Sequence, residues 1–363
     1  NNGTIFEFDI ASNTYTKRFD FGTLNGVNPK GTLLQASNGN LYGLTEYGGS
    51  SNKGVLFEFN TVTNTFSKKN DFTGIDGDRP IGSLIEATNG KLYGVTQLGG
   101  VNSLGNLFEY SIATNTIISR IHFNGVGNGE QPFEGPIQAS NGKLYGLTNL
   151  GGTNNQGVLY EYNVATYFSS VKFNFNLAVN GNRPVGRLVE SNSGVLYGMT
   201  YLGGLNNEGV IFQYNYNSNQ FSKKVDFEFQ LKGSNPRGSL MLSSTNKMIG
   251  CTYLGGDSRK GVLFEYNQSI NNYTKLIDFG FIKNSLNPKG KLTYAENGML
   301  YGYTHSGGDI NLGTIFEFDP KTRKVELKFQ NIDNQNSYTP IGDLVNANNG
   351  NLYGIFFRGF NQT

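Results

Sequence analysis

Short apolar runs, each followed by turn residues, divide the chain into segments too brief for helices. Residues 80–131 contain four such runs, with Asn89-Gly90 after the first and Gly99-Gly100 after the second: Ser83–Ala87, Leu92–Thr96, Asn106–Tyr110 and Ile117–Ile121. Asn-Gly favours a two-residue hairpin turn, because both residues tolerate positive φ. No 3.6-residue period accompanies the runs, so the pattern predicts four antiparallel β-strands.

The same pattern returns along the whole chain with a period of 51 or 52 residues. The second residue of the motif Leu-Tyr-Gly-x-Thr falls at Tyr42, Tyr93, Tyr145, Tyr197, Ile249, Tyr301 and Tyr353. A proline keeps the same spacing at Pro29, Pro80, Pro132, Pro184, Pro236, Pro288 and Pro340. Seven copies of a four-stranded unit of about 50 residues are typical of a β-propeller.

We therefore predict an all-β protein, a seven-bladed β-propeller with four antiparallel strands per blade in a single domain spanning residues 1–363. The predicted blades are 29–79, 80–131, 132–183, 184–235, 236–287, 288–339, and 340–363 together with 1–28. The two terminal pieces hold 24 and 28 residues, which together make one period of 52. The seventh blade should therefore join both termini, with Thr4–Phe8 paired to Leu352–Phe356, leaving no open sheet edge.

Composition narrows the functional classes. The net charge is +2 with dispersed Lys and Arg, so nothing indicates a nucleic-acid partner. The sequence has no apolar run of about 18 residues, so membrane insertion is not expected. A single cysteine, Cys251, rules out an internal disulfide, and only two histidines are present, so we expect no metal and no cofactor.

One repeat carries a recognisable string of residues. From Asn28-Pro29 to Phe59 it combines Asn-Pro, Asn-Gly, Leu-Tyr-Gly-x-Thr, Gly-Gly and Gly-x-Leu-Phe-Glu-Phe at fixed spacing. This string resembles the GloVer repeat, also called the HAF-type extracellular repeat, of bacterial exported proteins, and the resemblance spans all seven units. It implies a secreted, periplasmic or cell-surface β-propeller. It brings no catalytic motif with it.

Candidate functional residues lie where one unit departs from the others. Two variable residues separate the Thr of the motif from the Gly-Gly pair. In four units the second of these residues is Leu, whereas in the three units that are adjacent across the ring closure the two residues are polar or aromatic. Those pairs are His305 and Ser306, Phe357 and Arg358, and Glu46 and Tyr47. Separately, Glu134 replaces a glycine present in the other six units.

These positions predict a polar pocket at the mouth of the channel. Arg358 could bind an anionic or hydroxylated ligand, with His305 and Glu46 available for proton transfer or hydrogen bonds. The competing interpretation is sequence drift on a solvated rim. A non-catalytic module for a protein partner at the cell envelope, as part or cargo of a secretion or adhesion machine, ranks first, and a glycan-binding propeller ranks second. A polysaccharide lyase or hydrolase ranks third, because the even repeats leave little sequence for a deep catalytic cleft.

Overall fold

The computed structural model describes residues 2–191, 194–281, 285–330, 338–347 and 349–358, and for residues 338–341 and 358 it describes the backbone alone. Seven antiparallel sheets form a seven-bladed β-propeller, which confirms the predicted fold. The helical content is slight; α1 (Leu177–Asn180) has four residues.

The strands follow the repeat. Those of the first half are β1 (Thr4–Asp9), β2 (Thr14–Asp20), β3 (Val27–Gln35), β4 (Leu41–Tyr47), β5 (Val55–Asn60), β6 (Thr65–Asp71), β7 (Asp78–Glu86), β8 (Lys91–Leu98), β9 (Asn106–Ser111), β10 (Thr116–His122), β11 (Ile137–Gln138), β12 (Leu144–Leu147), β13 (Val158–Tyr162) and β14 (Ser169–Asn174). Those of the second half are β15 (Asn182–Glu190), β16 (Val195–Leu202), β17 (Val210–Asn215), β18 (Gln220–Asp226), β19 (Ser234–Pro236), β20 (Met241–Leu242), β21 (Met248–Leu254), β22 (Val262–Asn267), β23 (Asn272–Asp278), β24 (Ser285–Tyr294), β25 (Leu300–Gly307), β26 (Thr314–Asp319), β27 (Lys324–Gln330), β28 (Tyr338–Asn346) and β29 (Leu352–Arg358).

Each blade is one sheet, and the last blade contains strands from both ends of the chain. Blades 1 to 6 are β3–β6, β7–β10, β11–β14, β15–β18, β19–β23 and β24–β27. Blade 7 has the order β2-β1-β29-β28. Thr4 faces Phe356 and Phe8 faces Leu352 in an antiparallel ladder, as the repeat arithmetic predicts. The strands from the two ends of the chain therefore complete one sheet, and neither β1 nor β29 is left with an unpaired edge.

The first strand of a blade lies against the first strands of its neighbours and lines the central channel. This strand is longer than the sequence pattern predicts: β7 begins at Asp78 rather than Ser83. Its pairing shifts register between Ile81 and Ile85, and Gly82 in the bulge has a φ of +81°. A Cβ at Gly82 would lie 2.7 Å from the Cα of Glu134 in blade 3, so glycine permits this close approach.

Apolar side chains fill the space between blades. The motif Tyr-Gly reflects this packing, because a Cβ on Gly94 would lie 2.6 Å from the tip of the Phe108 ring on the next strand. Cys251 occupies such a core position, where it is buried and unpaired. Burial raises the pKa of its thiol to about 12, so it acts as a small apolar residue.

Candidate functional site

The bulged first strands and the ends of the second strands form a cavity at one end of the channel. This mouth cavity has a volume of about 530 Å³. Its lining includes Lys30, Gln97, Phe133, Glu134, Asn149, Arg183, Tyr201, Arg237, Lys289, Tyr303 and Asp343. Because a bulge places an extra residue in one strand, side chains beside the bulge glycine point into the channel rather than into the blade core.

Arg237 forms the centre of an aromatic and cationic cluster at the mouth. Its guanidinium lies 4.0 Å from the ring centroid of Tyr253 and 5.4 Å from that of Tyr201. It also donates a hydrogen bond of 3.3 Å to the Tyr201 hydroxyl. The ring of His305 lies 6.1 Å from that of Tyr253. Blades 4, 5 and 6 therefore each contribute an aromatic or imidazole ring beside one arginine.

His305 is held in its neutral form by this environment. Partial burial, together with the nearby positive charges of Lys289 and Arg237, lowers its pKa to about 4. Its Nδ1 is buried and has no hydrogen-bond partner among the described residues. At neutral pH the imidazole can therefore bind a ligand through hydrogen bonds but adds no charge.

Glu46 and Phe357 come together around Lys30. The Lys30 ammonium lies 2.6 Å from a carboxylate oxygen of Glu46 and 5.5 Å from the centroid of the Phe357 ring. Glu46 is buried, with 6% of its surface exposed. Its charge is thus neutralised within the wall, and the pair contributes no net charge to the cavity.

Glu134 lines the same cavity and accepts hydrogen bonds from Ser83. The backbone N–H and the hydroxyl of Ser83 are 3.1 and 3.2 Å from Oε2 of Glu134. Enclosure by protein, and to a smaller extent the nearby Asp343, raises its pKa to about 7, against the opposing effect of Arg187. Glu134 therefore exchanges a proton near neutral pH.

Two lysines in blade 6 add positive charge, Lys289 near Glu134 and Lys291 near Asp343. Burial, assisted by Arg237 and Lys30, lowers the pKa of Lys289 to about 8. Burial also lowers the pKa of Lys291, although Asp343 opposes the shift. In the part of the chain that the structure describes, no carboxylate lies within 4 Å of the ammonium of Lys289. Lys289 can therefore accept an anionic ligand without first losing a partner.

The other predicted residues lie elsewhere. Arg79 stacks over Tyr47 with its guanidinium 5.3 Å from the ring centroid, and Tyr47 does not line the mouth cavity, although its side chain interacts with Glu46. Ser306 pairs through its backbone with Leu286. Arg358 ends β29, and its side chain lies outside the described part of the structure.

Sequence reasoning missed Arg237 and Lys289. The signal was available one residue before the bulge glycine, where the equivalent positions in blades 2, 3 and 4 hold Ile81, Phe133 and Val185. These apolar residues line the same cavity, so a charge at this position places a cation in the channel wall.

The fold and the cavity define a seven-bladed β-propeller with a cationic, aromatic-lined channel mouth. The chain belongs to the Gloeobacter/Verrucomicrobia repeat family, whose model matches residues 1–141 and 135–363. No curated protein matches it. Among the described residues, no helix is long and apolar enough to cross a membrane, and no three His, Cys, Asp or Glu side chains are grouped to hold a metal ion.

Several solved structures share the fold at low identity. A structure described as the extracellular domain of a hybrid two-component system of B. thetaiotaomicron has a TM-score of 0.60 and 16% identity, and the match covers 99% of this chain but 44% of that one. One described as a 6-phosphogluconolactonase of Bacteroides uniformis has a TM-score of 0.61 and 14% identity, covering 91% and 96%. An oligogalacturonate lyase in complex with manganese has a TM-score of 0.57 and 12% identity, covering 99% and 97%. The fold thus occurs in an extracellular domain and in enzymes alike.

Proposed function

We propose that this propeller is a binding module, secreted or held at the cell envelope, that takes an acidic saccharide at the mouth cavity. The observation that carries the proposal is Arg237 between the rings of Tyr201 and Tyr253, with the uncompensated Lys289 nearby. A guanidinium can hold a carboxylate or sulfate through two hydrogen bonds. The tyrosine rings offer a flat apolar face with a polar edge, which suits a sugar ring.

The charges of the cavity favour an anion. Lys30 is balanced by Glu46, and three further cationic side chains line the cavity, from Arg183, Arg237 and Lys289, against the two carboxyl groups of Glu134 and Asp343. Glu134 is partly protonated near neutral pH, which increases the positive excess. Partial enclosure lowers the local dielectric constant, so each cation acts on a ligand more strongly than it would in open water.

The proposed location rests on family membership and agrees with the extracellular-domain neighbour. The name of the oligogalacturonate lyase refers to a chain of uronic acids, the class of ligand that the cavity charges favour. At 12% identity that likeness shows the fold alone, so the proposal depends on the cavity itself. A protein partner, ranked first on sequence, stays a prediction.

Calorimetric titration with oligogalacturonate tests the proposal, with a neutral galactose oligomer of equal length as the comparison. We expect saturable binding of the acidic oligomer that weakens with added salt, and none of the neutral one. Arg237→Ala should weaken binding at least tenfold, since a hydrogen bond to a charged group contributes about 1.5–3 kcal/mol.

Arg79→Ala is the matched control, because Arg79 also stacks on a tyrosine, Tyr47, but does not line the cavity. It should bind like the parent protein. Equal binding of acidic and neutral oligomers, or a larger loss with Arg79→Ala than with Arg237→Ala, would contradict the proposed site. Loss of binding in Arg79→Ala alone would instead favour a ligand site around Tyr47, one of the residues predicted from the sequence.

A lyase or hydrolase activity on the same ligand is the second candidate. Glu134 and Lys289, with pKa values of about 7 and 8, could transfer protons near neutral pH. Prolonged incubation of the oligomer with protein, followed by mass spectrometry, separates the two functions. Shortened or unsaturated products that disappear with Glu134→Gln would establish catalysis, whereas an intact oligomer supports binding alone.

A further inference from the structure

A repeated hydrogen-bond group lies at the end of the blades opposite the mouth. In six units the motif tyrosine donates its hydroxyl proton to a strand-three side chain, in the pairs Tyr42–Glu58, Tyr93–Glu109, Tyr145–Glu161, Tyr197–Gln213, Tyr301–Glu317 and Tyr353–Glu7. In five of them an asparagine amide donates to the same hydroxyl, from Asn38, Asn89, Asn141, Asn297 and Asn349. The group places a phenol between a turn and an acceptor on the third strand of the blade.

Blade 5 has lost two of these three parts together. Ile249 stands in the tyrosine position and Thr245 in the asparagine position, while the carboxylate, Glu265, remains. Lys247 donates to Oε1 of Glu265 at 2.7 Å, and this is the one hydrogen bond to the Glu265 carboxylate from the described residues. The oxygen that accepts the phenol proton in the other units has no hydrogen-bond partner among the described residues, and Glu265 lines a cavity.

A cavity occupies the position of the missing ring. It has a volume of about 560 Å³, and its walls include Ser244, Thr245, Ile249, Glu265, Phe318 and Arg323. In the next interface along the chain, Tyr301 packs against Phe8 with 6.4 Å between ring centroids. Phe318 is the counterpart of Phe8 in this interface, and Ile249 is the counterpart of Tyr301. One aromatic ring of the pair is therefore present and the other is absent.

The rim of this cavity is cationic. Lys321 and Arg323 lie in the turn between β26 and β27, and both line the cavity. Arg323 stands where other units carry a turn asparagine, such as Asn64 or Asn115, and it keeps their positive φ. An anionic group on a ligand could therefore bind at the rim while its ring lies inside.

We propose that this cavity is a second ligand site, which binds a 4-hydroxyphenyl compound bearing an anionic substituent. The hydroxyl donates to Glu265, the ring lies against Phe318 and Ile249, and the anion contacts Lys321 and Arg323. The ring replaces the tyrosine that six other units contain. The site lies at the opposite end of the second strand from Arg237, so it does not depend on the proposed saccharide function.

The probe is 4-hydroxyphenylacetate, titrated against the full chain and followed by saturation-transfer NMR. We expect saturable binding, and at least tenfold weaker binding of phenylacetate, which lacks the hydroxyl. Ile249→Tyr should abolish binding, because the side chain fills the space and occupies Glu265. Six units already accommodate this tyrosine, so the variant should fold with an unchanged or higher melting temperature.

Two controls keep the outcomes distinct. Ile249→Val preserves the open space and should bind the probe within about twofold of the parent protein. Arg237→Ala should leave probe binding unchanged, whatever it does to saccharide binding. Absence of saturable binding to the parent, equal binding of the two probes, or retained binding in a folded Ile249→Tyr variant would each overturn the proposal.

Discussion

At the scale of single residues, the channel shows how one side chain can change the chemistry of a repeated backbone. Gly82 and five equivalent glycines leave no side chain at the bulge, whereas blade 3 places Glu134 there. Glu134 does not have a positive φ, and the first strand of its blade is reduced to Ile137–Gln138. Blade 3 thus loses part of its ladder and gains a titratable group in the channel.

Glu134 should make stability depend on pH. Its pKa is raised from about 4.5 to about 7, so the folded protein retains a proton that the unfolded chain releases between those values. Its contribution is therefore complete below about pH 4.5 and is lost as the pH rises through 7. Glu134→Gln should raise the free energy of unfolding at pH 8 by about 1–3 kcal/mol, since one pKa unit corresponds to about 1.4 kcal/mol.

Urea denaturation at pH 8 and at about pH 4.5 checks this expectation. The variant and parent should nearly coincide at the lower pH, where both carry a neutral side chain. A variant that is less stable than the parent at pH 8 would mean that the attraction between Glu134 and Arg187 exceeds the cost of burying the charge.

At the scale of strands, the repeat made the regular features predictable. The position of each hairpin turn, the Tyr-Gly motif and the buried Cys251 follow from comparing the same position in seven units. The cluster around Arg237 at the mouth could not be predicted in this way, because its contacts join residues at different repeat positions in different blades. Arg237 directly follows β19, the first strand of blade 5, whereas Tyr201 is the residue before the last of β16 in the preceding blade.

The extent of the first strand could not be predicted from alternation either. The bulge between Ile81 and Ile85 interrupts the two-residue period, so the pattern indicates a strand beginning only at Ser83. The bulge also sets which side chains face the channel, and this is why Lys30 and Lys289 escaped notice. Glu46 and Tyr47 were predicted together, and their side chains do interact, but Glu46 pairs with Lys30 whereas the Tyr47 ring lies against Arg79.

The repeated tyrosine should stabilise a blade according to the charge of its acceptor. Tyr93 donates to the carboxylate of Glu109 and Tyr197 to the amide oxygen of Gln213, both at 2.9 Å. Tyr93→Phe should lower the free energy of unfolding by about 2–3 kcal/mol and Tyr197→Phe by about 1 kcal/mol, because hydrogen bonds to charged groups are stronger. Chemical denaturation of both variants measures the difference, and equal losses would show that acceptor charge has no effect.

At the scale of the whole molecule, the apolar core is distributed among seven interfaces between blades, whereas charged and polar side chains line the channel. The interfaces are apolar and similar, as in the cluster of Ile5, Leu33 and Val55 between blades 7 and 1. The two proposed ligand sites lie at opposite ends of the blades, each where a unit departs from the repeat. A symmetric scaffold can thus carry different sites without changing its packing.

Closure of this ring through blade 7 gives the last prediction. Removal of residues 1–21 deletes β1 and β2, so β29 loses its pairing partner from Thr4 to Phe8 and a sheet edge becomes exposed. Buried side chains of β1, including Ile5, Phe6 and Phe8, would leave their neighbours in contact with water. Burial of one such side chain stabilises by about 1.5–3 kcal/mol, so we expect a loss exceeding about 5 kcal/mol together with self-association through the free edge. Size-exclusion chromatography with light scattering and thermal unfolding measure both effects, and addition of a synthetic peptide of residues 1–21 should partly restore the monomer. A truncated chain that stays monomeric with the melting temperature of the parent would mean that the terminal pairing contributes little to the ring.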